Sequence, residues 1–167
     1  MGSKTYSPAA QTETQRLRRQ LDGLVARCEE LPEVAEIRAD AYRYAYIQLA
    51  GFLEQSLLIV GRSLVNKRAF AEGLQHGLSH LDRLWRNPTE DEILKYVARF
   101  SESWADDLAT WFAVDNRGDQ VNALVGIRNG LAHGSSFGGG ARSFADYYVV
   151  VLELVEWLVE RFETSLS

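Results

Sequence analysis

The stretch AYRYAYIQLAGFLEQSLLIVGRSL, residues 41–64, decides the fold. Tyr42, Tyr46, Leu49, Leu53, Leu57, Val60 and Leu64 recur at three- and four-residue spacing, which lines them along one side of a helix. Phe52, Leu58 and Ile59 widen that side, so a helix from about Glu33 to Asn66 belongs at the centre of a core. Gly51 and Gly61 each cost about 1 kcal/mol relative to alanine in such a helix. They offer places where a neighbouring helix can come close.

Helical patterns continue on both sides. Upstream, Leu17, Leu21, Leu24, Cys28 and Leu31 form a single apolar stripe, predicting a first helix from about Thr12 to Glu30 that Pro32 ends while it starts the next helix, since proline suits a first turn. Residues 1–10 are polar and read as a disordered lead-in to a single domain over residues 11–167. Downstream, Phe70, Leu74, Leu78, Leu81 and Trp85 predict a third helix from about Arg68 to Trp85, broken at Asn87-Pro88. Thr89, with Glu92 three residues on, is a capping box. It opens a fourth helix with Ile93, Val97, Phe100 and Trp104 inward, continuing or restarting through Leu108 and Trp111. Asp115-Asn116-Arg117-Gly118 reads as a turn, followed by a helix from about Asp119 to the Arg128–His133 region. Gly134 to Arg142 is a glycine-rich loop, after which Ser143 is placed to cap a last helix running to about Thr164. Between Tyr147 and Leu158 that helix is apolar nearly all round, which fits either deep burial or a surface shared with a partner chain. The expectation is an all-α, compact bundle of about five to six helices, with an up-down core and a long second helix.

Composition agrees with that class. Of 167 residues, 46% are hydrophobic and only three are proline, enough apolar side chain for one real core. The one cysteine, Cys28, cannot form an internal disulfide. It lies on an apolar stripe far in sequence from any histidine, and reads as a small buried residue. No apolar run is long enough to span a bilayer and no signal-peptide pattern opens the chain, so a cytoplasmic protein without a membrane partner is expected. A net charge of −5 argues against an extended electrostatic grip on duplex DNA, while leaving room for a small local nucleic-acid site. Arg16, Arg18, Arg19 and Arg27 give the first helix either a solvated face or a patch that meets RNA.

The segment with chemistry in it is Val125-Gly126-Ile127-Arg128-Asn129-Gly130-Leu131-Ala132-His133-Gly134. Asn129 and His133 are four residues apart and share a helical face. Arg128 is five before His133, about 140° round the axis, but its long side chain can swing toward the same end. One helix end then presents a permanent cation, an amide and an imidazole. Cleavage of RNA by its own 2′-hydroxyl asks for a similar set. A base and an acid are needed, and histidine fills either role near neutrality. A cation is needed for the dianionic phosphorane, and arginine offers forked donors. No metal or other cofactor is called for when RNA supplies the nucleophile. One histidine is thin for both proton transfers, and a two-fold dimer would bring two together. A plainer reading is also open: the Arg-Asn pair caps helix carbonyls, and His133 is favoured there by the helix dipole.

This segment resembles the Arg-x(4–6)-His motif of the HEPN superfamily (higher eukaryotes and prokaryotes nucleotide-binding), in its common form with Asn after the Arg and Gly after the His. The resemblance covers most of the chain. Gly51-Phe52-Leu53-Glu54-Gln55-Ser56 is similar to the long helix of the HEPN group associated with RiboL-PSP proteins. The Asn87-Pro88-Thr89 helix start, followed by Phe100 and Trp104, is similar to it as well. The resemblance implies an all-α, typically dimeric protein that cuts RNA without metal, often within a toxin–antitoxin or phage-defence system. By that resemblance Arg128 binds the scissile phosphate, His133 is general acid or base, and Asn129 positions the phosphate or the histidine. RNA, a second copy of the chain, and an antitoxin or defence-system protein are the implied partners. HEPN toxins paired with nucleotidyltransferase antitoxins carry a tyrosine two residues past the histidine. Ser135 stands there, which removes the tyrosine on which adenylylation control acts. A non-catalytic HEPN-type module that binds nucleotide or RNA, or that dimerises, is the alternative.

Other residues are weighed beside these. Glu54 lies in the most apolar part of the second helix, where a carboxylate needs a partner, and is a candidate to pair with Arg128 or orient His133. Ser135, Ser136 and Arg142 in the loop are candidate RNA contacts. Glu72, His76 and His80 are spaced by four, as a metal site on one helix would be, but read more simply as exposed side chains. Gly138-Gly139-Gly140 precedes a helix but lacks the Lys-Ser/Thr of a P-loop, and reads as a flexible loop beside the site.

Overall fold

The computed structural model describes residues 9–33, 36–68, 88–135, 137 and 139–164, with the backbone alone for Ala9, residues 66–68 and Thr164. The described residues form helices and no strands. They are α1 (Ala9–Glu29), α2 (Glu36–Arg68), α3 (Glu90–Ala98), α4 (Glu102–Ala113), a 3₁₀ turn (Val114–Asn116), α5 (Arg117–Ala132) and α6 (Ala141–Thr164). Most of the third helix expected over Arg68–Trp85 lies outside the described residues, and so do Glu72, His76 and His80. The same holds for the lead-in over residues 1–8.

The central helix forms for the reason its sequence predicts. Tyr42, Tyr46, Leu49, Leu53, Leu57, Val60 and Leu64 are all buried, as are Phe52 and Ile59. Around α2, cross-contacts fix the directions of the other long helices. Ala10 N–H donates to Glu163 Oε1 (3.3 Å), Arg18 pairs with Glu156 (2.6 Å) and the Tyr148 hydroxyl meets Asp22, so α1 and α6 are antiparallel. Tyr42 packs on Phe144 (5.6 Å between ring centroids) and Ser63 Oγ donates to Glu163 Oε1 (3.2 Å), so α2 and α6 are parallel. The apolar stretch of α6 resolves toward intramolecular core: Val150, Val151, Leu152, Leu154, Val155 and Leu158 are buried within the chain. Val149 is half exposed.

Short helices close one end of the bundle. The Thr89 capping box is present, with Thr89 N–H donating to Glu92 Oε2 (2.9 Å) and Thr89 Oγ1 accepting from Glu92 N–H (3.4 Å). The chain restarts at α4 because the Ser101 hydroxyl caps Trp104 N–H (3.4 Å). Tyr96, Phe100, Trp104 and Phe162 form an aromatic cluster there, with centroid separations of 5.1–6.3 Å. The Tyr96 hydroxyl donates to the Leu57 carbonyl (2.9 Å) across Gly61, whose missing side chain makes the approach possible. Gly51, in contrast, approaches no neighbour and opens onto empty space.

Boundaries moved where tertiary contacts outweigh local signals. α1 begins at Ala9, with Ala10 buried rather than in a disordered lead-in, since its N–H reaches Glu163. α2 begins at Glu36, leaving Pro32 in the connection rather than in a first helical turn. α5 begins at Arg117 instead of Asp119. Asp115 (φ 52°) and Asn116 (φ 55°) make the turn in left-handed geometry, and Arg117 enters the helix held over the Trp111 ring (4.5 Å) and against Glu153 (3.1 Å). Among the described residues no helix is long and apolar enough to cross a membrane.

Candidate functional site at the end of α5

α5 delivers Arg128, Asn129 and His133 to the end of the bundle opposite the α3–α4 cluster. Val121, Leu124 and Val125 are buried and Ile127 and Leu131 half-buried, so the helix is seated on the core up to its last turn. His133 is the C-cap residue, and its N–H still bonds the Asn129 carbonyl (3.1 Å), which keeps the helical register that aligns Asn129 with His133. Gly134 follows at φ 79°. Its N–H bonds the Leu131 carbonyl (3.2 Å), and Ser135 N–H bonds the Gly130 carbonyl (2.9 Å). This is a complete Schellman cap built from backbone groups.

That cap bears on the plainer reading of the motif. The Asn129, Gly130 and Leu131 carbonyls are bonded by backbone N–H groups, so these three do not require the Arg128, Asn129 or His133 side chains. Arg128 Nη1 donates instead to Asn129 Oδ1 (3.3 Å), which swings the guanidinium toward the helix side that His133 shares. Arg128 and Asn129 are half-buried and His133 is exposed. Among the described residues the His133 imidazole makes no hydrogen bond or ion pair. The three groups thus sit at one solvent-open helix end.

The other sequence candidates are placed as follows. Ser135 is exposed just past the cap. Ser136 lies outside the described residues, as does Gly138. Arg142 is exposed in the first turn of α6, not in the loop. Glu54 is half-buried on α2, eight residues or about 12 Å along the helix from Tyr46. Ser143 does not cap α6. Gly140 is the residue whose carbonyl accepts from Phe144 N–H (3.1 Å) and from Ser143 Oγ (3.1 Å).

Of the loop's described residues, Phe137 rests on α2. The Phe137 ring meets Tyr46 edge-on (5.0 Å), and its carbonyl accepts from Arg43 Nε (3.3 Å). The Tyr46 hydroxyl hydrogen-bonds Ser143 Oγ (2.9 Å), and burial pushes its ionisation upward. Gly139 packs under the Phe137 ring, where a Cβ would collide. Sequence reasoning passed over Phe137, although it is the single aromatic between Gly134 and Gly140 and was the available signal. Arg43, which donates to the Phe137 carbonyl, is also held against Asp40.

Cys28 is not part of any site: it is buried, and desolvation pushes its thiol up, away from the reactive thiolate. No family model matches the chain, nor does any curated protein or solved structure.

Proposed function

We propose that the protein is a metal-independent endoribonuclease that acts as a homodimer, with Arg128, Asn129 and His133 of two copies forming composite sites. The observation that carries this reading is the backbone-only cap, which leaves an arginine, an amide and an exposed imidazole at one helix end without structural employment. In the reaction one His133 takes the proton of the 2′-hydroxyl as its oxygen bonds to phosphorus. The P–O5′ bond breaks, and the partner copy's histidine returns a proton to the departing oxygen. The products are a 2′,3′-cyclic phosphate and a 5′-hydroxyl. Arg128 faces the charge that builds on the phosphorane, where a fork of donors acts most strongly. Asn129 orients Arg128. A toxin–antitoxin or phage-defence role, with an antitoxin or defence protein as partner, follows from the sequence resemblance alone.

One observation favours a second reading, a binding or dimerisation module without turnover. Gly134 is explained by the cap's left-handed residue, so the His-Gly pair needs no catalytic cause for its glycine. End-labelled RNA incubated in EDTA separates the two. The expectation is cutting by wild type and none by His133→Ala or Arg128→Ala, while circular dichroism of both variants stays helical. RNA of every tested kind surviving wild type intact would overturn the catalytic reading.

A further inference from the structure

A second groove runs along the outer junction of α1 and α2, on another face of the bundle. Its α2 wall is Tyr44, Gln48, Gly51 and Gln55, at four-, three- and four-residue spacing, and α1 contributes Gln20 and Arg27 over an apolar floor. The groove encloses about 380 Å³, within the range of natural ligand sites. No aspartate or glutamate lines it, although the chain carries 23 acids and a net charge of −5. Tyr44 is 54% exposed, too open to be explained as core. Among the described residues the side chains of Tyr44, Gln20, Gln48, Gln55 and Arg27 make no hydrogen bond or ion pair. Gly51 leaves the groove unobstructed, since a Cβ there would meet nothing within 4 Å.

We propose that this groove holds a single strand of RNA. Each part of the lining matches one part of that ligand. An exposed tyrosine offers a stacking face to a base. Glutamine amides donate and accept, as base edges require. An arginine that makes no ion pair among the described residues, in a lining without acids, attracts a phosphate. From Tyr44 to Gln55 the wall runs about 16 Å along the helix, an elongated shape that suits a strand more than a lone nucleotide. The choice of RNA over DNA rests on the cleavage reading; the groove itself is separate from the Arg128–His133 end.

The test is fluorescence anisotropy with a labelled single-stranded RNA oligonucleotide in the His133→Ala protein, so that cutting does not enter. Tyr44→Ala should weaken binding about 5- to 150-fold, the range of one base–aromatic stack. Arg27→Gln should lower the slope of log affinity against log salt by about 0.7. Gly51→Leu should fill the groove and abolish binding without unfolding the protein, because leucine is the better helix former. Unchanged binding in all three variants overturns the proposal. So does adenosine monophosphate that binds as tightly as the oligonucleotide, which would make this a mononucleotide site. A DNA oligonucleotide that binds as tightly as RNA overturns the RNA assignment. Binding that follows these dependencies in a protein that never cuts RNA upholds the groove and removes the cleavage reading alone.

Discussion

The pair His133→Ala and Gly134→Ala separates what the end of α5 does for the fold from what it does for chemistry. Gly134 sits at φ 79° and closes the Schellman cap, and a Cβ added there meets nothing within 4 Å. The cost of alanine is therefore a backbone cost, about 1–2 kcal/mol for an L-residue held in the left-handed region. For a chain of this length that lowers Tm by about 2–8 °C. Asparagine tolerates the same conformation better, so stability should fall in the order Gly134, Gly134→Asn, Gly134→Ala. His133 is exposed and its imidazole has no partner among the described residues, so His133→Ala should change stability by no more than about 0.5 kcal/mol. Urea unfolding followed by circular dichroism gives both numbers under one set of conditions. A loss for His133→Ala as large as that for Gly134→Ala would mean that the imidazole supports the fold. The case for a free catalytic group would then fail.

Gly61→Ala places a methyl 1.8 Å from the Tyr96 hydroxyl, displacing it from the Leu57 carbonyl. The lost bond to the Leu57 carbonyl and the overpacking outweigh the gain in helix propensity, for a net loss of about 1–3 kcal/mol. In a Tyr96→Phe background most of that loss should vanish, and additive unfolding energies for the two changes would refute the contact. At alkaline pH, Tyr148 carries a different signature. Burial first, and the Asp22 carboxylate next, push its hydroxyl up to about 12. A folded value above the unfolded one near 10 contributes stability that is present below about pH 10 and lost as pH rises toward about 12. Tyr148→Phe should flatten the decline of the urea midpoint across that window, and parallel declines would show the hydroxyl to be uninvolved.

The fold was legible where one periodic face decides between core and solvent. The stripe from Tyr42 to Leu64 predicted burial residue by residue, because a long helix with one apolar side has a single way to pack. Thr89 with Glu92 was legible for a local reason, since a capping box is closed within four residues. The helix starts at Ala9 and Arg117 were not, because each depends on a residue far away in sequence, Glu163 in one case and Glu153 in the other. Ser143 looked like a cap by type, yet the Tyr46 hydroxyl gives its side chain a second partner and glycine takes the capping position. Of the candidate site, the register that aligns Asn129 with His133 was readable from spacing. The contact of Phe137 with Tyr46 was not, because it joins residues far apart in sequence.

Both ends of the bundle are held by aromatic contacts, and which side chains stay out of those contacts bears on where function can sit. At the α3–α4 end, Tyr96, Phe100, Trp104 and Phe162 interlock, so a change in any one disturbs the others. At the α5 end, rings of α2 and α6 also interlock around Tyr46, and the Schellman cap closes the helix through backbone bonds, so the side chains of Arg128 and His133 are in neither set of contacts. Such an end can alter its polar groups without loss of fold, which is the condition for a site that chemistry can shape independently of stability. The α1–α2 groove meets the same condition through Gly51. Tyr44 lies about 160° around α2 from Tyr46, the residue on which the motif loop rests. A strand of RNA reaching from Tyr44 to His133 must therefore pass around the N-terminal half of α2. Under the two proposals together, the groove would hold the strand on one face and the bond would be broken on another.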